Sequence, residues 1–389
     1  MTTSAENPIA VQVVDPPAFT PPYDHALCGG LVDAGVEVEL VTSRFPHGPV
    51  PEARGYLVQE RFYRAADRFG STHPLIRRGL RAVEHVPEML SYARSLKQPG
   101  GPDIVHWQWL PLPGIDSHLL GSRHPRVFTM HWRLPDAESR IGRQLSNLLA
   151  RFDAVVSHTD HGARRLSEDF GVPAESIEVI PHGALDYLTR QANEEPLPSE
   201  LAEVDAPVIL AFGLIRPYKG CDLLIEAMDQ VPDADLWVVG KPMMAMDGLR
   251  ELADARPGRV RFVERFVPDQ EIPAFIRRAD LVCLPYRNIE QSGVLYAALA
   301  FGKPLVLSDV GGFPEIAADG AARLHPAGDS EALGRLLAEL LASPDELRAL
   351  AEASLELAAG KYAWSRIGEQ TAALYGRLLD TGGGSPDNR

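Results

Sequence analysis

Residues 207–228 read PVILAFGLIRPYKGCDLLIEAM, and this stretch decides the fold class. A short apolar strand at 207–212 leads into a loop that carries Arg216 and Lys219, and an amphipathic helix begins after Gly220. A short β-branched strand followed at once by a helix is typical of βαβ units, in which helices cover both faces of a parallel sheet. The stretch therefore predicts one strand–loop–helix unit of an α/β protein.

The same alternation extends along the chain in both directions. Because 389 residues exceed what one hydrophobic core usually organises, we predict two Rossmann-like, doubly wound parallel sheets facing a central cleft. Ligands bind outside the carboxyl ends of such strands, so the loops after the strands are the candidate sites. Strands are predicted at 9–14, 37–42, 103–107, 126–130, 153–157 and 177–180, then at 207–212, 235–239, 259–263, 280–284 and 304–308, with closing helices at 329–342, 345–359 and 364–379.

An acidic, proline-rich stretch, QANEEPLPSELAEVDA at 191–206, interrupts this alternation. Such a composition is typical of a linker. We therefore predict a first domain of residues 1–188 together with the C-terminal helix 364–380, a linker at 189–204, and a second domain of residues 205–363.

The composition argues against several functional classes. A net charge of −15 disfavours a nucleic-acid partner, because phosphate binding needs a concentrated positive field. Cys28, Cys221 and Cys283 form no CxxC pair, so we expect buried thiols in a reducing compartment and no zinc site. The polar N-terminus has no signal-peptide pattern and no apolar run could cross a bilayer, which predicts a cytoplasmic protein.

The loop after strand 207–212 is the first candidate anion site. Arg216 and Lys219 lie three residues apart at a strand-to-helix turn. Two cations there suit a diphosphate, because arginine binds phosphate bidentately and lysine adds a point charge. The alternative is a solvated basic loop, but the position between a strand and a helix favours binding.

A second candidate is NIEQSGVLYAALAFG at 288–302, where Ser292 and Gly293 open a helix directly after a strand. The exposed N–H groups and the dipole of a helix N-terminus attract anions. Glu290 can accept hydrogen bonds from sugar hydroxyls, although an ordinary capped helix explains the same residues.

The third candidate is SDVGGFPEI at 308–316, again directly after a strand. Gly311 and Gly312 allow close backbone approach to a ligand. Glu315 is either a residue of the helix N-terminus or a sugar ligand, and a simple tight turn would explain the two glycines equally well.

Taken together, these segments resemble the retaining glycosyltransferases of family 4 (glycosyl transferases group 1), which have the GT-B fold. The resemblance covers nearly the whole chain, and the order and spacing of its motifs are jointly specific. The matching motifs are TMH at 129–131, VIPHG at 179–183, FGLIRPYKG at 212–220, VVGKP at 238–242, RFVPDQEIPAFIRRADLVCLPY at 265–286, SGVLYAALAFGKPLVLSDVGGFPEI at 292–316 and YAW at 362–364.

The resemblance implies transfer of a sugar from a nucleoside-diphosphate-sugar donor, held mainly by the second domain, with retention of the anomeric configuration. The acceptor is unidentified and can be a glycan, a lipid-linked molecule or a small molecule. Arg216 and Lys219 match the pair that neutralises the donor diphosphate. His131 matches the first-domain histidine that faces the donor sugar, although a lone histidine after a strand is often just a packed residue. With Glu290 these residues form the implied catalytic set.

The resemblance also implies donor-binding residues and a reaction without metal or cofactor. Positive side chains and a helix N-terminus stabilise the leaving diphosphate in this family, which is electrostatic catalysis. The backbone around Phe266 and Val267 would meet the base. The implied donor-binding residues are Gly213, Gly240, Phe266, Val267, Ser292, Gly293, Val294, Gly311 and Gly312.

The sequence departs from the family pattern in three places. Ala297 stands where the second glutamate of the EX7E motif should bind ribose hydroxyls, and Glu290 fits the first glutamate only with a one-residue shift. Leu214 occupies the common arginine position. The glycine-rich loop after the first strand is replaced by DPPAFTPPYDHAL at 15–27. The acceptor-side residues of this loop are expected to be Tyr23, Asp24 and His25.

Two other functions compete with this interpretation. A non-catalytic nucleotide-sugar-binding protein is favoured by the loss of the second glutamate, but the retained cations and His131 oppose it. A nucleotide-sugar epimerase needs a set of carboxylates for proton shuttling, and the candidate segments contain no such cluster.

A basic stretch at 74–82 suggests a further partner. Arg77, Arg78 and Arg81 alternate with apolar residues and can meet anionic lipid headgroups at the inner membrane face. A solvated helix face is the alternative, so only a weak peripheral contact is expected.

Overall fold

The computed structural model describes residues 8–46, 48–69, 74–121, 124–256 and 259–382. The chain divides into two compact units. The first comprises Met1–Gly183 with Trp364–Arg389, and the second comprises Ala184–Ala363.

The first unit contains a seven-stranded sheet in the order β3-β2-β1-β4-β5-β6-β7, and all of its strand pairs are parallel. Its strands are β1 (Ala10–Asp15), β2 (Glu37–Ser43), β3 (Leu57–Phe62), β4 (Ile104–Trp107), β5 (Arg126–Thr129), β6 (Ala154–Ser157) and β7 (Ile177–Val179). Its α-helices are α1 (Pro21–Asp33), α2 (Pro74–Ser95), α3 (Pro113–Asp116), α4 (Arg140–Leu149), α5 (Asp160–Glu168) and α14 (Trp364–Gly382), with 3-10 turns at Ala66–Phe69 and Ala174–Ser176.

Helices cover this sheet on both faces, which explains why its central strands are apolar throughout. On one face, residues of α1 and α14, among them Leu27, Ile367 and Tyr375, pack against β1 and β2. On the other face, residues of α2, α4 and α5 pack against β4, β5 and β6. The C-terminal helix is therefore part of the core of the first unit.

The second unit contains a six-stranded parallel sheet in the order β10-β9-β8-β11-β12-β13. Its strands are β8 (Val208–Phe212), β9 (Asp235–Val239), β10 (Arg259–Val263), β11 (Leu281–Leu284), β12 (Leu305–Ser308) and β13 (Ala322–His325). Its α-helices are α6 (Ser199–Ala202), α7 (Cys221–Ala227), α8 (Asp247–Asp254), α9 (Ile272–Arg278), α10 (Gly293–Ala300), α11 (Phe313–Ala318), α12 (Ser330–Leu341) and α13 (Pro344–Ala359), with 3-10 turns at Asp186–Arg190, Pro217–Lys219 and Met228–Gln230.

The predicted α/β class with two Rossmann-like parallel sheets is confirmed, and all eleven predicted strands are present. The sequence prediction missed β3 and β13, which are both edge strands. The first four residues of β3 are exposed, and Leu57 keeps 72% of its surface. An edge strand packs against few neighbours, so its sequence carries a weak hydrophobic pattern.

The structure places residues 184–204 differently from the predicted domain boundary and linker. They belong to the second unit, where Leu188, Leu201 and Val204 lie in the hydrophobic core. Arg277 donates a hydrogen bond to Glu194 at 2.7 Å, which fixes the acidic part of the stretch to α9. The acidic and proline residues suggested a linker because the few apolar residues between them are too widely spaced to show a period.

Candidate active site

Lys219 lies at the carboxyl end of the six-stranded sheet, on the loop between β8 and α7. Its Nζ donates to the Phe212 carbonyl oxygen at 3.4 Å and lies 5.1 Å from the centre of the Tyr286 ring, a cation–π distance. The side chain is half-buried, and this burial lowers the pKa of Lys219. Among the described residues no carboxylate forms an ion pair with this ammonium group, which is therefore suited to an anionic ligand.

Glycines make room around this ammonium group. Gly213 has a φ of +99°, and a Cβ atom there would lie 2.9 Å from Lys219 Nζ and 3.1 Å from Val294 Cγ2. A Cβ atom on Gly240 would collide with the Gly213 carbonyl oxygen. The structure thus brings together four of the predicted residues. They are Gly213 and Lys219 after β8, Gly240 after β9 and Val294 in the first turn of α10.

The N-terminus of α10 adjoins this group. Ser292 precedes the helix, and its hydroxyl lies 3.3 Å from the Tyr286 hydroxyl and makes no capping bond to the helix backbone. A Cβ atom on Gly293 would meet nothing within 4 Å, so the space beside the first turn is open. The first N–H groups of a helix have no partner within the helix and can therefore bind an anion.

Glu290 is buried in the loop before α10, next to the loop after β12. Gly311 has a φ of +57°, and a Cβ atom there would collide with the Ile289 carbonyl oxygen, so only glycine lets the two loops approach. Gly312 has an ordinary φ of −85° and precedes α11. Ala297 is buried in the core on α10, and its side chain offers no carboxylate to a ribose.

The segment after β10 presents one predicted base-contacting side chain. Phe266 is 56% exposed, whereas Val267 is buried in the core. Arg265 donates to Glu271 at 2.8 Å, so its guanidinium group is engaged beside this segment.

Arg216 lines a groove beside the 3-10 turn at Pro217–Lys219. It is exposed, and it lines this groove of about 580 Å³ together with Met244, Leu249 and Arg287, whereas the recess beside Lys219 is bounded by Gly213 and Tyr286. Within the described part of the chain, no carboxylate forms an ion pair with Arg216. The two charges are still close enough for Arg216 to contribute to the lowered pKa of Lys219.

Two residues that sequence reasoning missed hold the loop of Arg216 and Lys219 in place. Arg287 donates to the Asp222 carboxylate at 2.8 and 2.6 Å and to the Pro217 carbonyl oxygen at 3.0 Å. A bidentate pair of this kind is geometrically specific. Arg287 directly follows Tyr286 in sequence, and nothing in its local pattern indicates a partner 65 residues away.

His131 follows β5 in the first unit and lies half-buried among other rings. Its Nε2 lies 3.0 Å from Gln108 Oε1, and its Nδ1 lies 3.4 Å from His158 Nε2. The imidazole stacks on Trp109 at a centroid distance of 5.2 Å. Tyr23 packs edge-on against the same imidazole at 4.6 Å.

The cluster around His131 contains two histidines that were not predicted. His182 lies 5.4 Å from His158 between ring centroids, and Tyr23 contacts both. Burial lowers the pKa of His158 to about 4 and of His182 to about 3, and it lowers the pKa of His131 as well. These imidazoles are therefore uncharged at neutral pH. Both unpredicted histidines follow strands, β6 and β7, which is the signal that could have identified them.

Asp24 and His25, which were expected on the acceptor side, are both buried. His25 is buried with its Nδ1 2.7 Å from the Tyr56 hydroxyl, and burial lowers its pKa to about 4. Asp24 is buried and hydrogen-bonded to Asp15. Of the three residues expected to contact the acceptor, Tyr23 alone adjoins His131 in the described structure.

Asp15 and Asp24 form a buried carboxyl pair at the end of β1. Burial raises the pKa of Asp15 to about 6, and burial together with the neighbouring carboxylate raises the pKa of Asp24 well above its usual range. Asp15 Oδ2 accepts a hydrogen bond from the Phe19 N–H at 2.8 Å. The pair thus shares a proton and organises the loop that replaces the glycine-rich turn.

The basic stretch on α2 is only partly free for a membrane surface. Arg81 donates to Asp67 at 2.9 Å, and Arg77 lies 3.5 Å from the same carboxylate. Arg78 is exposed beside Leu75, which keeps 83% of its surface. Across the described helices, none combines the length and apolarity needed to cross a membrane. The described side chains also include no group of three His, Cys, Asp or Glu residues arranged for a metal ion.

Comparison with known proteins identifies the family. The profile "Glycosyl transferases group 1" matches residues 206–343, and "Glycosyltransferase Family 4" matches residues 23–184. The D-inositol 3-phosphate glycosyltransferase of Nocardia farcinica (strain IFM 10152) is 31% identical over 318 residues, which cover 74% of this chain and 68% of that protein. The chain belongs to glycosyltransferase family 4. The resemblance seen in the sequence is confirmed, and the enzyme is a glycosyltransferase.

Solved structures confirm the GT-B fold of this glycosyltransferase. Sucrose-phosphate synthase from Thermosynechococcus elongatus superposes with a TM-score of 0.70 at 18% identity, covering 96% of this chain and 100% of that one. Anabaena HepE in complex with UDP and glucose superposes with a TM-score of 0.67 at 19% identity, covering 95% and 100%. At these identities the comparison establishes the fold alone.

Proposed function

We propose that this glycosyltransferase takes its sugar from a nucleoside-diphosphate sugar bound by the second unit. The observation that carries the proposal is the convergence of Lys219, Gly213 and Val294 at the carboxyl end of the sheet. A half-buried ammonium group, a glycine that leaves room beside it and an open helix N-terminus together suit a diphosphate. HepE, which shares the fold, holds UDP and glucose in its crystal structure, and this supports the proposal.

The leaving diphosphate gains negative charge as the sugar–phosphate bond breaks. A cation already in place stabilises that charge more in the transition state than in the ground state, and only such differential interaction lowers the barrier. Lys219 and the first N–H groups of α10 supply this stabilisation, and an anionic ligand would restore the pKa that burial lowers. No metal ion is required for this chemistry.

The first unit supplies His131 as the residue that contacts the transferred sugar, and it binds the acceptor. Retention of the anomeric configuration is proposed from the family pattern. Tyr23 is proposed on the acceptor side, and its packing against His131 supports this. We also propose a cytoplasmic enzyme with a weak peripheral lipid contact through Arg78 and Leu75 on α2.

A ligand screen on the full chain tests the donor proposal. Thermal shift against UDP-, GDP-, ADP- and dTDP-sugars should identify a donor class that raises Tm, whereas free sugars and nucleoside monophosphates should not, because the diphosphate carries the binding. Release of nucleoside diphosphate should continue in a chelator. Stabilisation by none of these donors would contradict the proposal, and activity that returns only with manganese would contradict metal independence.

The stereochemical outcome is a separate measurement. Proton NMR of the first product should show the anomeric configuration of the donor. An inverted product would overturn retention and leave the donor assignment intact.

A further inference from the structure

The histidines of the first unit form a hydrogen-bond chain whose direction follows from one end. His158 Nδ1 lies 2.9 Å from the Ile180 carbonyl oxygen. A carbonyl oxygen only accepts, so the His158 proton is on Nδ1. A neutral imidazole has one N–H group, and His158 Nε2 must therefore accept a hydrogen bond.

The next link fixes the tautomer of His131. Its Nδ1 faces His158 Nε2 at 3.4 Å, so Nδ1 donates and His131 Nε2 is left as an acceptor. Nε2 faces the Gln108 side-chain amide at 3.0 Å. An acceptor needs a donor, and the amide must therefore turn its NH₂ group toward His131.

The surroundings of the Gln108 side chain can be compared with this orientation of its NH₂ group. Its oxygen is assigned to the atom nearest His131, which leaves a buried amide nitrogen without a hydrogen-bond partner among the described residues. The oxygen and nitrogen of a glutamine amide are distinguished by their hydrogen bonds, so the network decides the assignment. Interchanging them gives the nitrogen a partner, and the oxygen then takes the buried position that has no partner among the described residues.

The other solution is an extra proton shared by His131 and His158, and their surroundings oppose it. The titratable groups facing His131 are Tyr23 on α1, His158 after β6, His182 after β7 and His106 on β4. None of these is a carboxylate that could balance an imidazolium. Burial and the neighbouring histidines both disfavour the charged form.

We propose that Gln108 and His158 are positioning residues that hold His131, from its two sides, as the neutral tautomer protonated on Nδ1. The importance of this tautomer rests on the proposed function, in which His131 contacts the transferred sugar. Glycosyl transfer passes through a transition state with positive charge on the sugar ring. An imidazolium beside it would repel that charge, whereas a neutral, fixed ring does not.

Nitrogen NMR of the full chain labelled with ¹⁵N-histidine tests the tautomer directly. The His131 signals, assigned with His131→Gln, should show a protonated Nδ1 and an unprotonated Nε2 at pH 8 and at pH 5.5. A proton on Nε2, or titration between these pH values, would overturn the proposal. The measurement needs no activity, so its failure is distinct from failure of the proposed function.

Kinetics of Gln108→Glu test the consequence. The carboxylate accepts but does not donate, so it favours a proton on His131 Nε2 and an imidazolium. We expect kcat to fall on the order of tenfold to a hundredfold, with the donor KM nearly unchanged and a new loss of activity toward acidic pH. The NMR signals of His131 should change to those of the imidazolium. Wild-type kcat and pH profile in this variant would refute the positioning role.

Variants of His158 provide an independent test. His158→Gln keeps an acceptor for His131 Nδ1 and should retain more kcat than His158→Leu, which removes it. Equal kcat values in His158→Gln and His158→Leu would count against the proposed hydrogen-bond chain. His325→Gln, at a buried histidine of the second unit, is the matched control and should leave kcat and the His131 signals unchanged. If His131→Ala keeps wild-type activity while the NMR result holds, the hydrogen-bond chain stands and the proposed role of His131 fails.

Discussion

The two candidate sites of this glycosyltransferase use opposite electrostatics. In the second unit, Lys219 keeps a cation at the end of the sheet beside the open first turn of α10, and none of the described carboxylates pairs with it. In the first unit, burial keeps His131, His158 and His182 uncharged, and Asp15 and Asp24 share a proton. The difference matches the proposed chemistry, because the departing diphosphate carries negative charge and the transferred sugar carries positive charge in the transition state.

Loss of the cation should have the largest effect on turnover. Lys219→Ala removes the charge proposed to stabilise the departing diphosphate, so kcat/KM should fall about a hundredfold, or about 3 kcal/mol. Steady-state release of nucleoside diphosphate measures it. Arg348→Ala removes a positive charge from the exposed face of α13 and serves as the control. Comparable rates in the two variants would show that the loop at 213–220 is only a surface turn.

The proton shared by Asp15 and Asp24 should make the stability of the fold depend on pH. The pKa of Asp15 is raised from 3.8 to about 6, so the folded chain holds a proton that the unfolded chain releases. Stability therefore falls as pH rises from about 4 through 6, and Asp24, with its higher pKa, extends the loss upward. Asp24→Asn keeps a donor to Asp15 without the proton that the wild-type pair must bind on folding, so it should stabilise the fold at pH 8.

Urea unfolding of the wild type and of Asp24→Asn at pH 5, 6.5 and 8 measures this effect. The difference in free energy of unfolding should shrink toward pH 5, where the wild-type pair is protonated. A variant less stable than the wild type at pH 8 would mean that the buried carboxyl pair does not lower the stability of the fold at this pH. Asp33→Asn, on the same helix, provides a control.

Arg216 should contribute less than Lys219 to turnover, although both residues lie on the same loop of the second unit. It is exposed and lines a different groove, so its charge is screened by solvent. Arg216→Ala should lower kcat/KM about tenfold, a smaller loss than for a preorganised cation in a half-buried site. A hundredfold loss would place Arg216 on the diphosphate itself, as the family pattern suggests.

The smallest effect is expected on α2. Arg78→Ala should leave turnover of a soluble acceptor nearly unchanged, because Arg78 is in neither site. Cosedimentation with vesicles of anionic lipid should fall by up to about fivefold, because one charge near a membrane surface contributes about 1 kcal/mol. Arg94→Ala, near the other end of the helix, is the control. Unchanged cosedimentation in Arg78→Ala would contradict the lipid contact.

The sequence by itself determined the class of fold, eleven strands, the family and the loop of Lys219. These features are local: a short β-branched run, a glycine with the conformation that the loop needs and a helix start are all encoded within a few residues. The sequence did not predict the edge strands β3 and β13, because strands that pack against few neighbours have a weak hydrophobic pattern.

Only the tertiary structure decided which residues act together. Gln108, His131 and His158 follow three different strands, and their hydrogen bonds exist because parallel strands end at the same edge of a sheet. Asp24 and His25 are polar residues of a loop-like sequence, yet their partners Asp15 and Tyr56 hold them in the interior. Lys219 and Arg216 are neighbours in sequence but line different recesses. Residue type and local spacing limit what a side chain can do, whereas its charge state and its partners depend on burial by segments far away in the chain.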